Sequence, residues 1–261
     1  TILLALLLPI LSPLWASVLA FGTLAVVSGL NILLWSAGLA LPLAAVVTLI
    51  LALYALNMSW GYFVESRSKR QFAELFGQYV PPELVDEMAR DPERYSMEGK
   101  NEELTVLFSD VRGFTSISEG LDPKELTQLM NEYLGAMTQV VQRNRGTLDK
   151  YIGDAIMAFW GAPVADAEHA RRAVFTALEM QRELRKLDAS FKARGWPELH
   201  IGVGINTGTM TVGDMGSTVR KSYTVMGDAV NLGSRLEGIT KQYGVGIIVS
   251  DSTKAQVKDV L

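Results

Sequence analysis

The N-terminal quarter of this chain carries no charged side chain. Between Thr1 and Val64 there is no Lys, Arg, Asp, Glu or His, and the first charge is Glu65. A membrane-crossing helix needs about 20 apolar residues, so the stretch can hold up to three spans with short connections. A soluble core helix would need a polar face, and a signal peptide would need a positive start and a shorter apolar run. We therefore predict an all-α transmembrane region.

Local breaks divide this region. Ser12 and Pro13 interrupt the first part, and a small-residue stretch over 36–38 interrupts the second. The predicted domain of transmembrane helices covers residues 1–63, with a truncated helix over 1–11 and two further helices over about 14–35 and 39–63.

Basic residues follow the last predicted span directly. Arg67, Lys69 and Arg70 place the rest of the chain in the cytoplasm by the positive-inside rule. The absence of cysteine agrees with a reducing compartment and excludes disulfides and thiolate metal sites. A net charge of −4 gives no electrostatic support for nucleic acid binding. We predict a multi-pass protein of the cell inner membrane with a cytoplasmic C-terminal domain.

Residues 64–101 are predicted to form a cytoplasmic helical connector. Pro81 and Pro82 should end the helix that leaves the membrane, and a second short helix should follow over Glu83 to Arg90. The first helix carries a narrow apolar stripe, which can pack either against a partner helix or against the chain's own domain. The stripe consists of Phe72, Leu75, Phe76 and Tyr79.

From Leu104 onwards, strand patterns alternate with helix patterns. The strand LTVLFSD precedes an amphipathic helix, and the hairpin GTLDKYIGDAIMAFWG precedes a long helix over about 167–194. The strand HIGVGINTG comes next, followed by a second hairpin over about 210–225, a helix over about 227–243 and the strand GIIVS. The order β-α-β-β-α-β predicts a ferredoxin-like α+β domain with helices packed against one face of the sheet.

Two aspartates should meet at one edge of this sheet. Asp110 ends the first strand, and Asp154 lies in the turn of the first hairpin, which pairs with that strand in this topology. Two converging carboxylates repel each other unless a cation lies between them, and hard oxygen ligands suit Mg²⁺. Spacing alone leaves a second interpretation open, in which Asp110 caps the next turn and Asp154 serves only the hairpin.

Four motifs in order resemble one known family. LFSDVRGFTSISE, LDKYIGDAIMAFWGAP, GINTG and YTVMGDAVNLGSRLE are similar to the catalytic domain of class III nucleotidyl cyclases, which make cyclic AMP or cyclic GMP from the triphosphate. The match covers about residues 102–261. The uncharged N-terminus and the connector FGQYVPPEL resemble bacterial members in which a sensor precedes a three-helix membrane module. The resemblance thus implies a signal-regulated enzyme and an upstream sensor domain that is missing from this chain.

The resemblance also implies a composite site in a homodimer, where one subunit supplies the metal ligands and the other the remaining groups. The expected cofactors are two Mg²⁺ or Mn²⁺ ions, and the expected products are cyclic AMP and pyrophosphate. The implied site residues are Asp110, Asp154 and the Val111 carbonyl as metal ligands, Lys150 and Thr224 as readers of adenine, and Asn231 and Arg235 at the ribose and the transition state.

The base preference rests on hydrogen bonding. Adenine N1 accepts and its 6-amino group donates, which suits a Lys donor and a hydroxyl acceptor. Thr224 departs from the Asp of many relatives, and a hydroxyl can also donate. ATP is therefore the expected substrate and GTP the alternative, while a catalytically silent receptor or dimerisation module is a third interpretation.

Two further sequence features bear on the site. Family members continue into a hairpin with a basic residue that grips the triphosphate, so a chain that stops at Leu261 is expected to be C-terminally incomplete. Arg220 and Lys221 are substitutes for that residue or simply solvated hairpin charges. The glycine-rich GVGINTG does not match a dinucleotide fingerprint and predicts close packing near the site.

Overall fold

The computed structural model describes residues 8, 11, 13–36, 38–39, 42–77, 79–91, 95, 97–217, 219 and 221–257, and of residues 13 and 60–75 only the backbone. The chain forms two compact units, Thr1–Arg70 and Gln71–Leu261.

The N-terminal unit contains helix α1, Pro13–Ser36, and most of helix α2, Leu43–Phe76. Ser17 and Tyr54 share a 2.8 Å hydrogen bond between their hydroxyl groups, which joins the two helices. Among the described residues, one helix is long and apolar enough to cross a membrane, Leu14–Ser36, and a shorter apolar helix covers Leu43–Ser59. The multi-pass prediction required several such helices, and it is not supported by the single candidate in the described part of the chain. Almost all of the predicted truncated helix over 1–11 lies outside the described residues.

The connector follows the predicted pattern. Helix α2 ends at Phe76, and helix α3, Pro82–Arg90, begins at the second proline of the pair, one residue before the predicted start at Glu83. Phe76, Leu84 and Met88 are buried in an apolar cluster with the strands of the C-terminal domain. Of the two interpretations of the apolar stripe, packing against the chain's own domain is therefore the one observed for Phe76. The side chains of Phe72 and Leu75 lie outside the described residues.

The C-terminal unit follows the predicted order of elements, with one additional short helix, Phe114–Gly120, that was not predicted. In chain order they are β1 Lys100–Val111, α4 Phe114–Gly120, α5 Pro123–Arg143, β2 Thr147–Ile152, β3 Ala155–Trp160, α6 His169–Ala193, β4 Ile201–Gly216, β5 Lys221–Met226, α7 Asp228–Tyr243, β6 Ile247–Val249 and α8 Asp251–Gln256.

The sheet places β1 at its centre. The strand order is β2-β3-β1-β4-β5, and β1 pairs antiparallel with both β3 and β4. One boundary differs from the prediction, because β4 is a single strand of 16 residues rather than a short strand followed by a separate hairpin. Its first half pairs with β6 in parallel and its second half with β5 antiparallel. The first half of β4 therefore lies beside Asp110, at the end of β1, and its second half forms the hairpin with β5.

Both faces of the sheet are covered, which corrects the prediction that the helices pack on one face. Helices α5 and α6 contribute to the apolar cluster on one face, which includes Leu107 and Ile156. The cluster on the other face contains Val106 and Met157, together with residues of the connector and of α7. Successive apolar residues of β1 point to opposite faces of the sheet, so both faces have apolar side chains that must be buried by other elements.

Candidate active site

Asp110 and Asp154 meet as predicted. Asp110 lies one residue before the end of β1, and Asp154 lies in the turn between β2 and β3. Pairing of Ser109 with Ile156 brings that turn beside the end of β1. The backbone N–H of Val111 donates to Oδ2 of Asp154 across a 3.2 Å distance. Gly153 has a φ of 66°, which permits the tight turn that directs Asp154 towards β1.

Burial and the neighbouring Asp154 destabilise the charged form of Asp110. The pKa of Asp110 is raised to about 7, first by burial and then by the hydrogen bond and charge of Asp154 and the charge of Glu237. A bound cation would remove this cost by compensating the negative charges. The alternative in which each aspartate serves only its own turn does not describe the structure, since Asp154 contacts β1.

The donor set fits a hard divalent ion. Within the described parts of the chain there is no group of three or more His, Cys, Asp or Glu side chains that could hold a metal. A pair of carboxylates suits Mg²⁺, which binds through one or two of them and completes its shell with water and phosphate oxygens. Asp110 and Asp154, with the carbonyl of Val111 nearby in the chain, thus match the requirements of Mg²⁺ or Mn²⁺.

Lys150 and Thr224 converge on a third aspartate, Asp149. The hydroxyl of Thr224 in β5 donates to Oδ2 of Asp149 across 2.6 Å, and Nζ of Lys150 in β2 lies 3.2 Å from Oδ1. Val225 N–H also points to Oδ2 at 3.4 Å. The side chain of Asp149 is fully buried, while that of Lys150 is 45% exposed. Strands β2 and β5, at opposite edges of the sheet, are therefore joined through one carboxylate.

Sequence reasoning missed Asp149. It precedes Lys150 directly, in a strand whose first residues are all buried. The available signal was a carboxylate beside a lysine in a run of buried strand positions. Because an unpaired buried charge is rarely tolerated, this pattern predicts that Asp149 has polar partners. The pairing of β2 with β3 shifts its register between Leu148 and Lys150, which marks a bulge at Asp149.

Asn231 and Arg235 lie on one face of α7. They are four residues apart, so they stand one helical turn from each other, and both are exposed. No hydrogen bond or ion pair within the described residues joins them to the Asp110 pair or to the Asp149 group. The predicted site residues thus fall into three separate groups in one chain.

Glycines set the position of α7, and the predicted close packing of GVGINTG is confirmed. A Cβ atom on Gly204 would lie 2.1 Å from the backbone nitrogen of Glu237, and one on Gly202 would lie 2.3 Å from the hydroxyl of Thr240. Only glycine lets the α7 backbone approach β4 this closely. Gly202 pairs with Asp110, so the close approach also brings α7 beside the carboxylates.

Lys221 forms an exposed ion pair in the hairpin of β4 and β5. Its Nζ lies 3.5 Å from Oδ2 of Asp214, and its side chain is 60% exposed. This is the geometry of a solvated hairpin charge. Arg220 lies outside the described residues.

The family follows from a comparison with known proteins. The family model described as "Adenylate and Guanylate cyclase catalytic domain" matches residues 97–260. This chain belongs to the class III nucleotidyl cyclases. The cyclase domain contains β1 to β6 and the candidate site residues named above.

Similar proteins agree with this assignment. Adenylate cyclase 1 of Rhizobium meliloti strain 1021 is 39% identical over 186 residues, which are 71% of this chain and 28% of that protein. The crystal structure of the adenylyl cyclase CyaB from P. aeruginosa has a TM-score of 0.59 and 40% identity, covering 62% of this chain and 84% of that one. The chain therefore spans under a third of the Rhizobium relative's length.

Relatives with opposite base preference are equally similar to this cyclase domain. The crystal structure of the guanylyl cyclase Cya2 is 41% identical, with a TM-score of 0.57, and covers 61% of this chain and 80% of that chain. Since CyaB and Cya2 differ by one percentage point in identity, overall similarity does not separate ATP from GTP. The distinction has to come from the groups that contact the base.

Proposed function

We propose that this chain is the catalytic part of a membrane-anchored adenylate cyclase that converts ATP to 3′,5′-cyclic AMP and pyrophosphate. The observation that carries the proposal is the pairing of Asp110 and Asp154 at the end of the central strand of a cyclase domain. Helix α1 would anchor the protein in the inner membrane, and the cyclase domain would face the cytoplasm. Regulation by an upstream sensor stays a prediction.

The carboxylates serve as ligands in this proposal. Asp110, Asp154 and the Val111 carbonyl would hold two Mg²⁺ or Mn²⁺ ions, which when bound lower the pKa of the ribose 3′-hydroxyl and neutralise the triphosphate. Because a ligating carboxylate must be ionised, Asp110 would lose the proton that it partly retains near pH 7. Its high pKa therefore couples metal binding to proton release.

The remaining groups position the substrate. Lys150 would donate to N1 of adenine, and Thr224 would accept from the 6-amino group. Asn231 would hold the ribose, and the guanidinium of Arg235 would meet the charge that spreads over the reacting phosphorus. Phosphoryl transfer asks little covalent work of the protein, so in-line positioning of these groups would supply most of the catalysis.

Exposed apolar side chains support a homodimer with shared sites. Tyr151, Ile152, Met226 and Leu232 are 39% to 55% exposed, and each lies within two residues of a proposed site residue. Apolar exposure of this kind beside polar groups is typical of a protein interface. A second copy would cover these side chains and bring Arg235 of one subunit to the Asp110 pair of the other, which one chain alone does not do.

Product formation tests the proposed function directly. The full chain, reconstituted in lipid with Mg²⁺ or Mn²⁺, is expected to form cyclic AMP from ATP. Cyclic GMP from GTP as the main product would instead identify a guanylate cyclase. No product from either nucleotide in a metal-loaded dimer would overturn the enzyme proposal in favour of a silent dimerisation module.

Mixing two inactive variants tests the shared site. Asp110→Ala and Arg235→Ala should each be inactive, and a random mixture should recover about a quarter of wild-type activity, since half of the dimers are mixed and each keeps one intact site of two. The activity of co-expressed, differently tagged subunits provides the measurement. Asp110→Ala mixed with Asp154→Ala is the matched control and should stay inactive, because both changes damage the same half-site. Recovery in neither mixture, with mixed dimers isolated, would contradict the shared site.

A further inference from the structure

We propose that Asp149 is a positioning residue that holds the Thr224 hydroxyl as a hydrogen-bond acceptor and thereby makes the base-reading pair select adenine over guanine. The inference rests on the proposed function, which places Lys150 and Thr224 at the base. The Asp149 side chain would thus determine which of ATP and GTP is the better substrate.

Two hydrogen-bond donors and one ammonium group surround the Asp149 carboxylate. Thr224 Oγ1 lies 2.6 Å from Oδ2, Nζ of Lys150 lies 3.2 Å from Oδ1, and the Val225 nitrogen lies 3.4 Å from Oδ2. Lys150 and the backbone N–H of Val225 can only donate. Burial raises the pKa of Asp149, whereas the hydrogen bonds from Thr224 and Val225 and the charge of Lys150 oppose this rise. These three partners stabilise the ionised carboxylate, which can only accept.

The direction of the Thr224 hydrogen bond follows from this inventory. A threonine hydroxyl has one proton and two lone pairs, and an ionised carboxylate has no proton to give. The single proton of Thr224 therefore points to Asp149, and its lone pairs are what it can offer to a base. Thr224 is itself only 4% exposed, so water has little room to replace Asp149 as its partner.

A hydroxyl held as an acceptor distinguishes the two purines. The 6-amino group of adenine donates and would be satisfied by the Thr224 lone pairs, whereas O6 of guanine accepts and would face them without a proton between. Lys150 adds a second mismatch, because guanine carries N1–H where adenine N1 accepts. Sites built around hydrogen bonds reject the wrong ligand strongly, because it leaves buried polar groups unpaired.

The backbone fixes Asp149 in this position. The register shift between Leu148 and Lys150 breaks the regular alternation of β2, so Asp149 and Lys150 can both serve the same spot. The N–H of Leu148 donates to the carbonyl of Tyr79 across 2.7 Å, which anchors β2 to the connector. Tyr223 is fully buried against Phe76 with ring centroids 5.2 Å apart, which holds β5 beside it. The acceptor geometry is thus built before any nucleotide binds.

Asp149→Asn is the sharpest test, since it keeps the shape of the side chain and replaces one acceptor oxygen with an amide nitrogen that donates. Lys150 would retain the amide oxygen, so the amide nitrogen would face Thr224 and free its hydroxyl proton for O6 of guanine. The ratio of kcat/KM for ATP to that for GTP is expected to fall by about tenfold or more, the effect of one hydrogen bond. Asp214→Asn is the matched control, because Asp214 also pairs with a lysine of this sheet, and it should leave the ratio unchanged.

A second variant and a binding measurement keep the outcomes distinct. Thr224→Val removes the hydroxyl and leaves Asp149 and Lys150 in place, so it should reduce the preference for ATP without raising activity on GTP. It tests the acceptor role of Thr224 if Asp149→Asn does not fold. A folded Asp149→Asn protein, or Thr224→Val protein, with the wild-type ratio would overturn the inference. If the wild type forms no product, the proposed function fails separately, and the ratio of calorimetric affinities for ATP and GTP replaces the kinetic ratio. A lower affinity ratio in Asp149→Asn supports the inference. An unchanged affinity ratio overturns it.

Discussion

Asp154→Asn is expected to reduce cyclic nucleotide formation on the order of a thousandfold, because metal ions contribute several kcal/mol of charge stabilisation in the transition state. The same variant should bind Mn²⁺ more weakly, as calorimetry on the full chain would measure. Asp251→Asn, which changes an exposed aspartate in the first turn of α8, is the matched control and should keep wild-type activity. An Asp154→Asn protein that keeps more than a tenth of wild-type activity would contradict the metal site.

A stability measurement separates this loss from unfolding. The pKa of Asp110 is raised to about 7, in part by Asp154, from an ordinary value of 3.8. The folded protein therefore binds more protons than the unfolded one between these values, and its stability falls as pH rises through that window. Without metal at pH 8, Asp154→Asn should thus melt at the same temperature as the wild type or higher. A lower melting temperature would show that Asp154 has a structural role instead.

Gly204→Ala is expected to destabilise the cyclase domain by about 1–3 kcal/mol or more, since an added methyl would overlap the backbone of α7. The new Cβ atom would lie 2.1 Å from the nitrogen of Glu237 and 2.6 Å from the carbonyl oxygen of Gly233, and neither backbone atom can turn aside. Helix α7 would have to move off β4. Because α7 carries Asn231 and Arg235, activity should fall together with stability, as denaturant unfolding and a cyclase assay would measure.

Gly238→Ala is the matched control on the same helix. A Cβ atom at this position would meet nothing within 4 Å. Alanine is favoured over glycine in a helix by about 1 kcal/mol, so this variant should be as stable as the wild type or more stable. Equal stability of Gly204→Ala and the wild type would mean that α7 does not approach β4 as closely as the structure places it.

Local sequence signals predicted the elements of the cyclase domain well. The hydrophobic period marked β1 and α5, and the proline pair marked the break between α2 and α3, because each signal depends only on residues close in the chain. The positions of Asp110 and Asp154 were also predicted, since the β-α-β-β order itself places a hairpin beside the first strand. The roles of Asn231, Arg235, Lys150 and Thr224 came from the family resemblance and stay predictions.

The sequence by itself determined the charge-free N-terminal region, the order of strands and helices, the family and the meeting of two carboxylates. Only the tertiary structure decided that both faces of the sheet are covered, that Gly202 and Gly204 let α7 touch β4, and that Lys150 and Thr224 share Asp149. The physical reason is common to these features. Each depends on the register and separation of segments that lie far apart in the chain, and a single bulge at Asp149 changes which side chains can meet.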